Sequence, residues 1–485
     1  MKLASYGELL RVPATLVQVN GQSDKNHSFA KEGENILYSV AFRNLSAKTQ
    51  VFHSNVREHL RTRLTHTLEV ARIAVNMSEI LGFDRNLAEA IALGHDLGHT
   101  PFGHVGERAI HKFSSGEDRK YTASDGTAMQ MPDNMKGFKH NLQSVRLLVN
   151  YTIGCEFSNF VLYGIRGHSS IVYKQLEEKG RTTFYDKYVP CWSVVLEDGS
   201  FVPAWSVESF LVKWADEIAQ RHHDIEDAYF QKIMSPGQIV RQLEPLTSLT
   251  ASEELKDVYG AMKKIASGGE EIGDREWELF PHYLAEFVIG IYVSASTEEI
   301  KEKLECIIKK YQIKSVEDFE LLYQSKEKIN DINEMLSLKG TSIGNSDKIL
   351  NDGLKYAILD SYEVQRMDGR SEYIIRRLLR AYKSNPQQLP NKYINHLMKD
   401  CIDEFLHKEE KDTLLTIIKQ SLGYGVLVED RKNWQDYECR NALRVLLKSP
   451  ESERIISPVL MRMIFDYVSF LTDRSAYEEY RELYE

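Results

Sequence analysis

The sequence contains no apolar run long enough to span a bilayer, and its first residues do not form the apolar core of a signal peptide. Cysteine is also scarce, with five thiols among 485 residues, widely scattered and without a CxxC pair. This usage argues against a disulfide framework and is typical of reduced thiols. We therefore expect a cytoplasmic protein that does not associate with membranes.

An excess of basic residues is missing as well. The chain has 61 Lys and Arg residues against 71 Asp and Glu residues, a net charge of -10. This balance argues against a general nucleic-acid coat and gives no support for single-stranded DNA as a partner. A local basic cluster nevertheless precedes His66 and comprises Arg43, Lys48, Arg57, Arg61 and Arg63. It is either a solvated basic face, the commoner meaning of such a run, or a binding site for a polyanion.

The apolar residues follow mainly helical spacing, as in a globular helical protein. The spacing predicts one helix over 64–81, closed by Gly82, and a second helix that Asp84 caps and that runs up to His95. Gly94 and Gly98 would permit close packing and a turn at this end. Residues 114–137 are typical of a loop, and further helices are predicted over 139–153, 206–234 and most of the chain after 250.

One stretch has a different pattern. Val194–Leu196 and Phe201-Val202 flank Asp198-Gly199, which predicts a small β-hairpin inserted within 181–205. The expected fold class is therefore all-α with this one insertion. We expect an N-terminal arm over 1–34, a helical core over 35–245 and a C-terminal helical extension over 246–485.

The densest group of reactive side chains lies between residues 95 and 107. His95 and Asp96 are adjacent at the end of an apolar helix, and His99, His104 and Glu107 follow around a Gly/Pro turn. Divalent transition ions accept imidazole and carboxylate ligands. A long imidazole and a short carboxylate at a helix end can converge on one ion, although neighbouring helical residues diverge. The segment therefore predicts a metal site with acid/base groups close behind it.

Two further ligands must come from other helices. His66 lies on the preceding helix, and Asp216 is a carboxylate within an apolar helix face, where it needs a partner such as a metal. Each residue alone is more typical of an ordinary surface or core side chain. The ordered set of His66, His95, Asp96 and Asp216 indicates a metal centre.

This set resembles that of the HD-domain metal-dependent phosphohydrolases, and its surroundings resemble the deoxyguanosine triphosphate triphosphohydrolase (dGTPase) family. The resemblance extends over roughly residues 35 to 477 and implies an HD-domain helical core. The matching segments are Ser39–Leu45, Lys48–Phe52, Arg61–Val70, His95–Glu107, Phe138–Ser144, Gly164–Ser169, Trp214–Ala219, Val364–Met367 and Asp466–Arg474.

The resemblance implies hydrolysis of deoxynucleoside triphosphates, dGTP or a broader set, to deoxynucleoside and inorganic tripolyphosphate. Attack at the α-phosphorus keeps the three phosphates together. A divalent metal ion (magnesium, manganese or cobalt) would be held by His66, His95, Asp96 and Asp216 and would polarise an α-phosphate oxygen.

The resemblance also implies roles for neighbouring residues. His104 would exchange a proton with the leaving ribose oxygen or the water, and Glu107 would orient its ring. The alternative for His104 is a turn cap. His99 would hydrogen-bond a phosphate oxygen. The expected substrate-binding residues are Gln50, Arg63, Arg43, Lys48, His140, Gln143, Asp224 and Tyr467, of which Lys48 is as typical of a surface role and Tyr467 of a core role.

Two features depart from the family pattern. Gln220 stands where the family usually has a tyrosine that contacts the sugar, and the hairpin within 181–205 has no counterpart there. The alternatives are another HD nucleotide phosphohydrolase, such as a phosphodiesterase or 5′-nucleotidase, and a non-catalytic dNTP sensor. Family members form homo-oligomers, commonly tetramers or hexamers, and some are activated by a second dNTP. We expect this chain to form a homo-oligomer too.

Overall fold

The computed structural model describes residues 5–49, 61–115, 131–132, 135–152, 154–168, 184–250, 252–268, 274–422 and 428–485. The described chain is helical apart from two small antiparallel strand pairs, which confirms the predicted all-α class. Its contacts divide it into two units that alternate along the sequence. The first unit comprises the described residues within 1–99, 140–171 and 187–368, and the second those within 100–139, 172–186 and 369–485.

The α-helices are numbered in chain order. The first eleven are α1 (Tyr6–Leu10), α2 (Phe29–Leu37), α3 (Val40–Asn44), α4 (Arg63–Leu81), α5 (Arg85–Gly94), α6 (Gly103–Ser114), α7 (His140–Tyr151), α8 (Asn159–Gly167), α9 (Val207–Phe230), α10 (Pro236–Leu243) and α11 (Glu253–Ser267). The others are α12 (Asp274–Tyr311), α13 (Val316–Glu320), α14 (Lys326–Met335), α15 (Ser342–Leu354), α16 (Tyr362–Ser384), α17 (Asn391–His396), α18 (Ile402–Phe405), α19 (Lys408–Leu422), α20 (Asp436–Leu446), α21 (Pro450–Phe470) and α22 (Asp473–Tyr484).

The α4–α5 hairpin follows directly from local sequence signals. The Thr62 hydroxyl accepts a hydrogen bond from the backbone of Thr65 and so caps the start of α4. Gly82 ends this helix with a left-handed φ of 80°, which glycine adopts without steric cost. The Asp84 carboxylate then accepts from the backbone N–H groups of the first turn of α5. The predicted helix boundaries and the Asp84 cap are confirmed.

Helix α9 is the central helix of the first unit. The Ser206 hydroxyl caps its start, and its buried positions include Leu211, Ala215 and Ile218. Helices α4, α5, α8 and α12 all pack against α9. Side chains on one face of α9 therefore meet side chains from α4 and from the end of α5.

The segment after α5 lies directly against the start of α7. A Cβ atom on Gly98 would lie 2.3 Å from both the His140 carbonyl oxygen and the Ser144 backbone nitrogen. The Gly98 N–H donates to the Ser144 hydroxyl oxygen at 2.8 Å, and that hydroxyl donates to the His95 carbonyl at 2.9 Å. The close packing predicted for Gly98 is therefore confirmed, and it fixes the backbone around the His-Asp pair.

The predicted hairpin is present. Strands β3 (Ser193–Val195) and β4 (Phe201–Pro203) pair antiparallel, with Val194 opposite Val202. A second small hairpin near the N-terminus was not predicted: β1 (Gln18–Val19) pairs with β2 (Gln22–Ser23) around Asn20 and Gly21. Both central residues have positive φ, the requirement of a tight two-residue turn.

The second unit contains α6, most of α16 and α17–α22. Helix α6 packs against α21, where Phe113 meets Phe465 edge to face. Arg462 of α21 is wholly buried; it donates to the Gly137 carbonyl at 2.6 Å and lies over the Phe184 ring. Buried cation–π and hydrogen-bond contacts of this kind offset the cost of burying the guanidinium.

No helix within the described ranges is both long and apolar enough to cross a bilayer. The domain boundaries expected at 34/35 and 245/246 stay predictions.

Candidate metal centre and acid/base pair

The four predicted metal ligands lie together in the first unit. His66 is in the first turn of α4, His95 and Asp96 follow α5, and Asp216 is in α9. The His66 Nε2 lies 3.0 Å from Asp216 Oδ1 and 3.9 Å from Asp96 Oδ2. The His95 Nε2 lies 3.5 Å from Asp96 Oδ1 and 3.8 Å from Asp216 Oδ1. Two ligands of one ion, each about 2.1 Å from it, are at most about 4.2 Å apart, so these separations fit one ion.

The surroundings of His95 test whether this group suits a metal. Its Nδ1 lies 2.6 Å from the Ala92 carbonyl oxygen, which can only accept, so Nδ1 carries the proton. The opposite nitrogen, Nε2, then bears a lone pair. It is buried and has no hydrogen-bond partner among the described residues. A fixed tautomer with a buried lone pair directed at two carboxylates is the arrangement that a metal-binding imidazole needs.

The metal-ligand group is part of a longer row of imidazoles. Successive ring centroids are 3.8 to 5.5 Å apart. The row runs, in contact order, His223, His66, His95, His168, His140 and His99. Like His95, His168 donates from Nδ1 to a backbone carbonyl, that of Ile165, at 2.6 Å. Its Nε2 lies 3.2 Å from the Nε2 of His140.

The charges at the centre follow from burial and from these neighbours. Burial alone would raise the pKa of Asp96, but His95, His99 and Arg63 hold it well below its usual range. The pKa of Asp216 is likewise lowered, against burial, by the hydrogen bond from His66 and by His95. Burial and nearby imidazoles lower the pKa of His168 to about 3. The centre therefore combines ionised carboxylates with a neutral imidazole beside them.

Two cationic side chains, those of Arg63 and Lys48, contact the segment that contains Asp96 and His99. The Arg63 Nη1 donates to Asp96 Oδ2 at 2.5 Å, and its Nε, also buried, has no hydrogen-bond partner within the described ranges. Lys48 is buried rather than on the surface, and its ammonium donates to the His99 carbonyl oxygen. The pKa of His99 is held well below its usual value by burial and by Arg63 and His140. His99 also stacks on His140, with 3.8 Å between ring centroids.

The predicted acid/base pair belongs to the second unit. His104 and Glu107 lie one turn apart in α6, and His104 Nδ1 is 3.0 Å from Glu107 Oε2. Glu107 is buried, whereas 38% of the His104 side chain is exposed. Helix α6 starts from an unusual turn in which Phe102 has a left-handed φ of 62°. The Phe102 N–H donates at 2.9 Å to the buried carboxylate of Asp473 at the start of α22.

The other predicted substrate-binding residues are scattered. Gln143 is wholly buried in α7, and Asp224 lies on α9 beyond Asp216. Arg43 is exposed at the end of α3. Tyr467, in the second unit, donates to Glu479 Oε1 at 2.9 Å and packs against Tyr382 and Tyr393, as a core tyrosine does. Gln50 lies outside the described residues. The roles of all these residues stay predictions.

Sequence reasoning assigned no role to three residues of this region. His168 joins the imidazole row, and His223 and Glu69 lie behind His66. The signal for Glu69 was its position three residues after His66, on the same face of α4. His223 stands seven residues after Asp216, two helical turns along α9. Both spacings place these side chains next to ligand-bearing positions.

The chain is similar to a known domain family and to several known proteins. The model of the HD domain family matches residues 63–221. The deoxyguanosinetriphosphate triphosphohydrolase-like protein of Leptospira interrogans is 30% identical over 374 residues, 77% of this chain and 83% of that protein. Proteins of the same name are 29% identical in Geobacter metallireducens, over 76% of this chain and 81% of the relative, and in Caldanaerobacter subterraneus, over 75% and 92%.

Proposed function

We propose that this chain, which belongs to the deoxyguanosinetriphosphate triphosphohydrolase-like family of HD-domain proteins, hydrolyses a deoxynucleoside triphosphate to deoxynucleoside and inorganic tripolyphosphate. The observation that carries the proposal is the group of His66, His95, Asp96 and Asp216. The buried Nε2 lone pair of His95 in this group suits a divalent metal ion. When bound, that ion would supply Lewis-acid polarisation of an α-phosphate oxygen and a water of lowered pKa.

The side chains beside this group suit an anionic substrate. Arg63 partly neutralises Asp96 and keeps a buried guanidinium N–H for a phosphate oxygen. The depressed pKa of His99 keeps its ring neutral, so that it would face a phosphate oxygen without contributing a charge. Lys48, through its contact with the His99 carbonyl, would hold that turn in place and add positive potential.

His104 would move the proton in this reaction. Glu107 accepts from His104 Nδ1, so proton exchange would take place at Nε2 of this partly exposed ring. The imidazolium would be stabilised by the Glu107 carboxylate and would protonate the leaving 5′-oxygen of the nucleoside. His104 and Glu107 follow Asp96 by eight and eleven residues along the chain.

The same proposal includes a homo-oligomer and activation by a second dNTP. It leaves open which dNTP is preferred. Gln220 lies on α9 one turn after Asp216, so the sugar would be recognised there by an amide rather than a phenol. Each of these points is read out by one substrate panel and a measurement of solution mass.

The test is a product analysis. The purified full chain is incubated with manganese, magnesium or cobalt and with each dNTP, singly and in pairs, and the products are separated by chromatography. We expect metal-dependent release of tripolyphosphate and deoxynucleoside. Release of only monophosphate or pyrophosphate would contradict the proposal, and tight dNTP binding without turnover under every metal would favour a sensor.

The matched variant is Asp96→Ala. Removing a ligand carboxylate should abolish turnover and metal binding while the helical circular dichroism spectrum is kept, since Asp96 lies in the turn after α5 rather than within a helix. Turnover within about tenfold of the unsubstituted chain, a loss of only about 1.4 kcal/mol of transition-state stabilisation, would show that the reaction does not use this centre.

A further inference from the structure

A second group of ionisable side chains lies behind His66 in the first unit. It consists of Glu69 on α4 and His222 and His223 on α9, with Arg61 and Glu226 at its edge. The donor atoms of Glu69, His222 and His223 all lie within 4.8 Å of one another. His223 is wholly buried, and only 17% of the Glu69 side chain is exposed. Nothing in the proposed reaction uses this group directly.

The group already contains a cation, which argues against a second metal ion there. The Arg61 guanidinium lies 3.2 Å from Glu69 Oε2 and 2.5 Å from Glu226 Oε2. His222 Nδ1 lies 2.8 Å from the other oxygen of Glu69. Burial would raise the pKa of Glu69, but the contacts from His222 and His223 lower it, so the carboxylate is ionised. Its charge is thus balanced by protein groups alone.

The same carboxylate is connected to the metal centre through one ring. His223 Nε2 lies 2.8 Å from Glu69 Oε2, and its Nδ1 lies 3.1 Å from the Nδ1 of His66. If His66 binds an ion through Nε2, its Nδ1 must carry a proton and donate to His223 Nδ1. The His223 proton then sits on Nε2, the nitrogen that faces Glu69. With these two neutral tautomers, His66 donates to His223, and the His223 N–H lies on the side of the ionised Glu69 carboxylate, 2.8 Å away but not aligned for a full hydrogen bond.

From this chain of contacts we propose that Glu69 and His223 are positioning residues for the metal centre, which set the tautomer and the orientation of the His66 ring. Residues that contact a metal ligand without touching the metal typically contribute 10- to 100-fold to metal affinity. The pair also links α4 to α9, the helices that carry His66 and Asp216. The inference rests on the proposed function only in that His66 is taken as a metal ligand.

The test measures metal binding rather than turnover. The full chain is stripped of metal and titrated with Mn²⁺ alone, and free Mn²⁺ is counted by electron paramagnetic resonance. Glu69→Gln keeps the side-chain shape and removes the charge, and we expect its Mn²⁺ affinity to fall about 10- to 100-fold. His223→Phe keeps a buried ring without an acceptor and should show a loss of the same size.

The matched control is Glu226→Gln. Glu226 shares Arg61 with Glu69, but its Oε1 lies 3.9 Å from the His222 Nε2, beyond hydrogen-bond distance. We expect its Mn²⁺ affinity to stay within about threefold of the unsubstituted chain, a difference under about 0.7 kcal/mol. Circular dichroism verifies that each variant is folded before the titration.

The outcomes separate this inference from the proposed function. Equal affinity in Glu69→Gln and the unsubstituted chain, or an equal loss in Glu226→Gln, would overturn the positioning role. Loss of a second Mn²⁺ equivalent in Glu69→Gln would overturn it in favour of a second metal site. If the unsubstituted chain binds no Mn²⁺, the metal centre itself fails, and the proposed function fails with it.

Discussion

Two histidines of this protein, His95 and His104, differ in burial and in hydrogen-bond partner. In the first unit, the His95 side chain is fully buried, its tautomer is fixed by a backbone carbonyl, and other imidazoles surround it. In the second unit, His104 is 38% exposed, and its Nδ1 lies 3.0 Å from the carboxylate of Glu107, one turn away in the same helix. The two rings are only nine residues apart in sequence.

The difference corresponds to two kinds of chemistry. A metal ligand must present an unprotonated nitrogen at a fixed position, and burial achieves this by excluding water and disfavouring the imidazolium. A general acid must gain and lose a proton in each cycle, so it needs a route to solvent and a partner for its charged form. The burial of His95 therefore suits a metal ligand, and the partial exposure of His104 suits a general acid.

Replacing His104 by alanine tests the comparison most strongly. We expect kcat to fall by about 10² to 10⁴-fold, the usual contribution of a general acid, while Mn²⁺ affinity stays unchanged. Steady-state kinetics and a metal titration measure the two quantities separately. We expect kcat to fall less in Glu107→Gln, because glutamine keeps an acceptor oxygen for His104 Nδ1. If kcat and Mn²⁺ affinity both fell in His104→Ala, the metal centre and the His104–Glu107 pair would not be functionally distinct.

Gly98→Ala, which adds one methyl group, should disturb the metal centre around His95 and Asp96 instead. The new Cβ would lie 2.3 Å from two backbone atoms of α7, so the turn must move, at a cost of about 3 kcal/mol. Thermal unfolding should show a lowered midpoint for Gly98→Ala, and the Mn²⁺ affinity should fall with it. Gly237→Ala is the control, because a Cβ there meets nothing within 4 Å. An unchanged midpoint for Gly98→Ala would show that the turn tolerates displacement.

The sequence predicted the features that depend on neighbouring residues in the chain. It did not predict the contacts that depend on how distant helices pack. The capping residue Asp84, the helix end at Gly82 and the turn of the β3–β4 hairpin are set by neighbours in the chain, and each was predictable. Which imidazole lies behind which ligand depends on how α4 and α9 pack. The spacing of His223 from Asp216 places it near a ligand, but its contact with His66, 157 residues away, could not be predicted from the sequence.

The contact between Asp473 and Phe102 is another long-range feature, and it provides the smallest of the expected effects. A phenylalanine with φ of 62° is strained by about 1 to 3 kcal/mol and keeps this conformation only where its surroundings offset the cost. The Asp473 carboxylate accepts the Phe102 N–H at 2.9 Å and so stabilises the turn from which α6 and His104 begin. We expect Asp473→Ala to lower kcat about tenfold, equivalent to about 1.4 kcal/mol, with Mn²⁺ affinity unchanged. Asp473→Asn retains an acceptor oxygen and should restore most of this loss. If Asp473→Ala instead weakens Mn²⁺ binding and leaves kcat at saturating metal intact, the turn serves the buried group rather than the acid/base pair.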